Sequence, residues 1–344
     1  MRKILLLYTG GTIGMDYTEQ GLAPVPGLLP KLMQRLSIKE CEVDIIEYPV
    51  LIDSAAITLG HWRNLVNDIA QYYEQYDGFV IIHGTDTMAF TGSMLAFALP
   101  GLSKPIVLTG SQLPLVHPRS DGWGNLMDAL EAASQPQLTE VVLVFDRLVL
   151  RACRARKWDA SGFRGFFSPN MSPLGEFGIR SSWYRERWLT STQPFVPVTL
   201  HDVSVASFFL TPGVSSTWIG QMLQQQESLQ GVVLLSYGNG NVPADPALLE
   251  GIRAATDRGV LVVNLSQSMR GGVMMGEYAV SLPLIDAGVI AGADMTPEAA
   301  VGKLTVLLSQ DLSMLERRRW VACSLVGELT EEKGNEDSTA LPEK

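Results

Sequence analysis

Short runs of Val, Ile and Leu alternate along the chain with longer segments in which apolar residues recur every three or four positions. A continuous apolar run of about five residues suits a strand buried on both faces, whereas three-and-four spacing gives a helix one apolar stripe. The pattern predicts strands over 4–8, 43–47, 78–83, 105–109 and 141–145, with helices over 30–36, 61–74, 87–98 and 125–133 between them. A second series predicts strands near 205–210, 232–235 and 260–264 and helices near 216–226, 245–257 and 296–310. This is an α/β arrangement: a doubly wound, mostly parallel sheet in an N-terminal domain, then a second, smaller α/β domain.

Residues 180–203 mix Ser, Thr, Pro and charges with no sustained period, which puts a linker at 185–204. The expected units are a larger domain over 1–190, a smaller one over 205–330, and a mobile polar tail over 331–344, too poor in apolar groups to offset its ordering entropy. Two basic residues, Arg2 and Lys3, precede the first apolar run. That run is too short for a secretory h-region, which needs about 7–15 residues. No other run approaches the roughly 18 residues of a membrane span, so a soluble protein without a membrane partner is expected.

The 344 residues suffice for sizeable cores without cross-links. Lys and Arg total 26 against 36 Asp and Glu, a net charge of −10, and no dense basic block offsets it. Nucleic acid is therefore excluded as the main partner. Cys41, Cys153 and Cys323 are far apart and form no CxxC pair, which indicates neither a disulfide framework nor a zinc knuckle and fits a reducing cytoplasm. His61, His83, His117 and His201 are scattered without HExxH spacing and read as structural, so no metal site is expected.

Open α/β sheets bind ligands beyond the carboxyl ends of their strands, and two of the segments following strands are unusual. After the first strand stands Thr9-Gly10-Gly11-Thr12-Ile13-Gly14. A dinucleotide fingerprint needs glycine at position 9, which is threonine, and no Walker lysine follows. A glycine turn here either presents the Thr12 hydroxyl to a ligand, with the Gly11 N–H as a donor, or lets that hydroxyl satisfy local backbone. After the third strand stands His83-Gly84-Thr85-Asp86-Thr87-Met88, leading into a helical pattern. One of Thr85, Asp86 and Thr87 capping that helix accounts for the composition. The other reading makes Asp86 a carboxylate for a substrate amino group or a lysine, with Thr85 positioning water.

Together, in this order, the two segments resemble the bacterial-type L-asparaginase family, particularly its cytoplasmic type I branch. Further matching stretches are Thr109-Gly110-Ser111-Gln112, Arg119-Ser120-Asp121-Gly122, Ser168-Pro169-Asn170, Ser236-Tyr237-Gly238, the run 259–264 and Gly292-Ala293-Asp294-Met295-Thr296, so the resemblance runs over most of the chain. It implies hydrolysis of the side-chain amide of L-asparagine to L-aspartate and ammonia by way of an acyl-enzyme. Carried over by motif, Thr12 is the nucleophile, and Thr85 and Asp86 are the second catalytic threonine and its aspartate. Lys157, five residues before Gly162-Phe163, stands in the context of the catalytic lysine; read alone it would be a surface lysine. Asp53 and Ser54 fall on the segment that binds the substrate carboxylate, and Gly11 and Thr85 supply N–H groups to the substrate.

The resemblance further implies no metal or organic cofactor, and a homodimer or homotetramer in which the smaller domain of one subunit closes the site of its neighbour. Asn241 is placed there, although Gly238-Asn239-Gly240-Asn241 also reads as a plain turn. Two positions depart from the family pattern. Leu22 stands where a tyrosine is usual, with Tyr17 as an alternative hydroxyl in the 15–27 segment, which has the glycines and prolines of a lid. Ala55-Ala56 stands where polar residues are usual. The alternatives are a glutaminase or other amidase on the same fold, including the tRNA-dependent amidotransferase subunits, and a catalytically weakened amino-acid sensor.

Overall fold

The structure, a computed structural model, describes residues 1–19, 21–34, 41–275 and 282–331. The expected polar tail falls, from residue 332 onward, outside the described residues, as do positions 35 and 36 of the helix predicted over 30–36.

The larger domain opens with β1 (Arg2–Gly10), a hairpin of β2 (Met15–Thr18) and β3 (Gly21–Pro24), α1 (Leu28–Met33) and β4 (Cys41–Ile52). It continues through α2 (Leu59–Tyr72), β5 (Gly78–Ile82), α3 (Met88–Ala98), β6 (Ile106–Thr109), α4 (Gly122–Ala133), β7 (Val141–Phe145) and β8 (Leu148–Arg151). Four two-residue strands follow: β9 (Arg156–Lys157), β10 (Phe166–Phe167), β11 (Gly175–Glu176) and β12 (Ser182–Trp183). The main sheet runs β12-β11-β8-β7-β6-β5-β1-β4, parallel from β7 to β4 and antiparallel across β7, β8, β11 and β12. The antiparallel edge left no turn signal because the β7–β8 hairpin turns on Asp146 and Arg147, both at positive φ (47° and 64°), where Asn-Gly is the usual cue.

The run from Ile4 to Tyr8 in β1 is apolar because it is covered on both sides. Leu5 and Leu7 pack with Phe79, Ile81 and Leu108 under α2 and α3, while Ile4, Leu6 and Tyr8 pack with Val80, Ile82 and Val107 under α1 and α4. Each such side chain contributes roughly 1.5–3 kcal/mol on leaving water, which is why apolar runs mark these strands so plainly.

The smaller domain is a parallel sheet, β13 (Val205–Phe209), β14 (Gly231–Ser236), β15 (Leu261–Ser266) and β16 (Ile290–Ala291), in that order. Its helices are α5 (Ser215–Gln225), α6 (Pro246–Asp257), α7 (Leu282–Asp286), α8 (Pro297–Leu308) and α9 (Met314–Ala322). α8 packs against α3 of the larger domain, close enough that a side-chain carbon on Gly302 would stand 3.1 Å from the Met94 nitrogen.

Residues 324–330 strap the two domains together. Glu328, fully buried, pairs with the equally buried Lys303 of α8, whose ammonium also donates to the Val321 and Cys323 carbonyls. From the other side Arg154, two residues before β9, donates to the Gly327 carbonyl (2.7 Å), to Asp294 (2.8 Å) and to Thr330 (3.3 Å). Burial of the guanidinium is tolerable because it is paired and hydrogen-bonded.

Connectivity locates the ligand crevice. From β1 the chain crosses to β4 on one side, and from β4 it crosses back to β5 on the other, so strand order reverses between β1 and β5. In doubly wound sheets the carboxyl ends at such a reversal flank the binding site.

Candidate active site

The residues after β1 and β5 meet at that reversal, and glycine makes the meeting possible. Gly11 sits at φ +93°, and a Cβ there would lie 2.6 Å from the Gly84 nitrogen. A Cβ on Gly84 would in turn lie 2.5 Å from the Ser54 hydroxyl, and one on Gly10 would lie 2.3 Å from the Ile52 carbonyl. The loops after β1 and β5 are thus stacked backbone against backbone, with the Ser54 side chain packed on Gly84, at distances only glycine permits.

Thr12 opens a short 3₁₀ turn, Thr12–Gly14, and is half-buried. Among the described residues its hydroxyl has no hydrogen-bond partner, so the reading in which that hydroxyl satisfies local backbone does not describe this turn. The turn rests on Tyr8: a Cβ on Gly14 would fall 2.0 Å from the phenol oxygen, which is buried and has no hydrogen-bond partner among the described residues. Burial pushes the Tyr8 hydroxyl well above the usual phenol range, and the Glu47 carboxylate adds to this.

The capping reading of Thr85, Asp86 and Thr87 is corrected. Thr87 occupies the N-cap position of α3 but makes no capping bond, and its hydroxyl donates to the Ser54 carbonyl at 2.7 Å. Thr85 and Asp86 face Lys157, whose ammonium donates to the Thr85 hydroxyl at 2.9 Å and to the Asp86 carboxylate at 2.5 Å. Lys157 keeps 22% side-chain exposure and Asp86 59%, so the cation is largely shielded while its carboxylate partner faces solvent. The reading of Lys157 as an isolated surface lysine is thereby set aside.

His83 fixes the peptide that precedes this pair. The Trp62 indole donates to Thr91 (2.9 Å), leaving the Thr91 hydroxyl to donate to His83 Nε2 (2.9 Å) and His83 Nδ1 to donate to the Gly84 carbonyl (2.7 Å). This chain suits a neutral imidazole, which burial favours by pushing the His83 pKa down to about 4. The structural role expected of His83 is what the bonds describe.

Ser54 is buried against Gly84, and Asp53 is exposed, its carboxylate accepting the Ala55 N–H at 3.0 Å. Asn241 stands apart in the smaller domain, exposed, in a turn closed by reciprocal backbone bonds with Tyr237 (2.8 and 2.9 Å). Among the described residues no hydrogen bond joins its side chain to the Thr12–Lys157 cluster. In the hairpin, Tyr17 pairs directly with Leu22, so the two side chains share one face, both exposed.

A threonine at a glycine turn, beside a Thr–Lys–Asp cluster at the strand-order reversal, suits nucleophilic attack on an acyl carbon with proton transfer through the second threonine. Family comparison decides the lineage. The model of the asparaginase N-terminal domain matches residues 3–189, and that of the glutaminase/asparaginase C-terminal domain matches 204–321.

This chain belongs to the asparaginase family.

Within that family it is 43% identical over 340 residues to L-asparaginase 1 of Escherichia coli K12, covering 96% of this chain and 98% of that protein. It superposes on L-asparaginase I of Vibrio cholerae with a TM-score of 0.88 at 40% identity, covering 96% and 99% of the two chains. The thermostable L-asparaginase of Thermococcus kodakarensis superposes with a TM-score of 0.87 at 30% identity, covering 96% of this chain and 100% of that one. Among the described residues of this family member, no three His, Cys, Asp or Glu side chains cluster as a metal site, and no helix is long and apolar enough to cross a membrane.

Two features of this asparaginase-family site escaped sequence reasoning. The Trp62–Thr91–His83 chain joins α2, α3 and the loop after β5, with no local spacing to betray it. The Tyr8–Gly14 contact spans one glycine turn, and a lone tyrosine in an apolar strand reads simply as core.

Proposed function

We propose that this chain is an amidohydrolase that converts L-asparagine to L-aspartate and ammonia through an acyl-enzyme on Thr12. The observation that carries the reading is the convergence of Thr12 with the Lys157–Thr85–Asp86 cluster at the β1/β5 reversal, through the Gly11–Gly84 contact. The name and near full-length match of L-asparaginase 1 support the choice of amide.

In this reading the Thr12 oxygen attacks the side-chain amide carbon, and its proton passes through the Thr85 hydroxyl to Lys157 as Lys157 hands a proton to the Asp86 carboxylate. The C–N bond then breaks as the nitrogen takes up a proton and leaves as ammonia. Water attacks the resulting ester, regenerating the Thr12 hydroxyl and releasing aspartate. Gly11 and Thr85 N–H groups hold the developing oxyanion, a contribution of about 3–4 kcal/mol per donor in comparable sites. Ser54 and the backbone beside Asp53 hold the substrate α-carboxylate. The larger domain over 1–190 carries the chemistry. The domain over 205–330 carries Asn241, which reaches the site of a neighbouring subunit in a cytoplasmic homodimer or homotetramer; its exposure and its separation from the cluster support that placement.

Ammonia release from L-asparagine, L-glutamine and D-asparagine at one enzyme concentration tests the substrate, and Thr12→Ala tests the mechanism. Turnover should be highest on L-asparagine and fall by more than about a thousandfold in the variant, with little change in melting temperature. A binding signal for L-asparagine without ammonia would favour the sensor reading that Leu22 raises, and near-normal turnover by Thr12→Ala would end the nucleophile assignment.

A further inference from the structure

Lys157 sits on a two-residue strand, β9, paired with β10. So short a ladder fixes little by itself: Arg154 and the Arg156–Glu298 pair (3.2 Å) hold β9 on the side of the smaller domain, and on its other side the ammonium depends on what grips the turn between the two strands. That turn is folded on Asp159, whose carboxylate accepts the N–H groups of Ser161 (2.8 Å) and Gly162 (2.9 Å). These bonds hold the Asp159 carboxyl below its ordinary range. They shape the turn without saying where it lies relative to the sheet.

Gln112, in the loop after β6, supplies the connection. Its side-chain amide donates to the Gly162 carbonyl at 2.8 Å and to the Asp159 carbonyl at 3.3 Å. Gln112 is itself held, because its backbone N–H and that of Leu113 donate to the Asp121 carboxylate at the start of α4. Asn125 bonds both Asp121 (3.1 Å) and the Gly110 carbonyl (3.0 Å), closing the loop. Among the described residues, the other side-chain hydrogen bond from this turn to the main sheet's connections is the exposed ion pair of Arg164 with Asp146. Such exposed pairs contribute little.

We propose that Gln112 is a positioning residue for Lys157, transmitting the rigid α4–β6 corner to the ammonium that meets Thr85 and Asp86. This rests on the assignment of Lys157 to the chemistry. Both bonds use the two amide hydrogens of one NH₂ group, so the demand is for a donor pair at fixed reach, which glutamine meets and glutamate of the same size does not. A glutamate would put a charged acceptor oxygen where Nε2 stands, facing two carbonyls, and push the turn away.

The test uses Gln112→Met, which keeps length and loses the donors, and Gln112→Glu, each made alone and combined with Lys157→Met. Melting temperature is followed beside kcat and KM for L-asparagine. A shift of about 1 Å in a reacting group costs on the order of a hundredfold, so both Gln112 variants should lose roughly 10–100-fold in kcat, with KM within about twofold. In the Lys157→Met background the Gln112 substitutions should have no further effect, since a group already removed cannot be misplaced. An equal loss in both backgrounds, a change confined to KM, or an unchanged kcat would overturn the proposal. If Lys157→Met alone leaves kcat intact, it is the assignment of Lys157 that fails, and the role of Gln112 falls with it.

Discussion

Gly11→Ala tests whether the contact of the loops after β1 and β5 is a condition of activity. A methyl group at position 11 would lie 2.6 Å from the Gly84 nitrogen, 2.7 Å from its Cα and 2.9 Å from the His83 carbonyl carbon. Carbon–carbon van der Waals contact is near 3.5–4.0 Å, so one loop must retreat by about 1 Å. Neither can bend a flexible side chain aside, because these three neighbours are all backbone atoms. Alanine at φ +93° adds strain on the order of 1–3 kcal/mol. A retreat of about 1 Å between Thr12 and Thr85 should lower kcat roughly a hundredfold. The strain alone should lower the melting temperature by only a few degrees in a chain of this length. Steady-state ammonia release and a thermal melt on one preparation measure both. Gly124→Ala is the matched control: it lies in α4 with nothing within 4 Å of the added carbon, and should leave kcat unchanged while raising stability by up to about 1 kcal/mol. A Gly11→Ala enzyme with wild-type kcat would refute the idea that loop apposition sets the catalytic geometry.

Two further outcomes follow from the site. Because Tyr17 and Leu22 share a hairpin face, Tyr17→Phe should lower kcat by roughly 10²-fold or more if Tyr17 supplies the hydroxyl that Leu22 lacks, and Leu22→Tyr should then restore part of that loss; a double variant no better than Tyr17→Phe alone would remove the hairpin face from the mechanism. His83 is held neutral with its pKa near 4, so below the unfolded value of 6.5 protons bind the unfolded chain first. Stability should therefore decline as pH falls from about 6.5 towards 4, by up to roughly 3 kcal/mol, and His83→Gln should flatten that part of a pH-resolved melting curve; an unchanged slope would show that another group governs it.

Much of the scaffold was readable because burial on both faces writes itself into composition. The run 141–145 could be little else than a covered strand, and it forms β7 with those limits. The helix expected over 87–98 starts at Met88, and Thr87 before it serves the Ser54 carbonyl instead of capping. What resisted reading were pairings that depend on distant partners. β9 has no period to detect in two residues, and the reach of Lys157 to Thr85 crosses 72 positions. The Thr85–Asp86 sequence was compatible with a cap, and only the arrival of Lys157 distinguishes the two uses.

The strap over residues 324–330 sets an order of events during synthesis. Arg154 is made 173 residues before the Gly327 carbonyl that receives it. At about 5–20 residues per second the guanidinium waits roughly 10–35 s on the ribosome for its last partners. In that interval β1, β4, β5, β6 and β7 can already associate, since all lie upstream of Arg154. The strand bearing Lys157, two residues beyond Arg154, meanwhile lacks the anchor that the strap provides. The growing chain can thus pair its parallel strands at a stage when the segment bearing Lys157 still lacks that anchor.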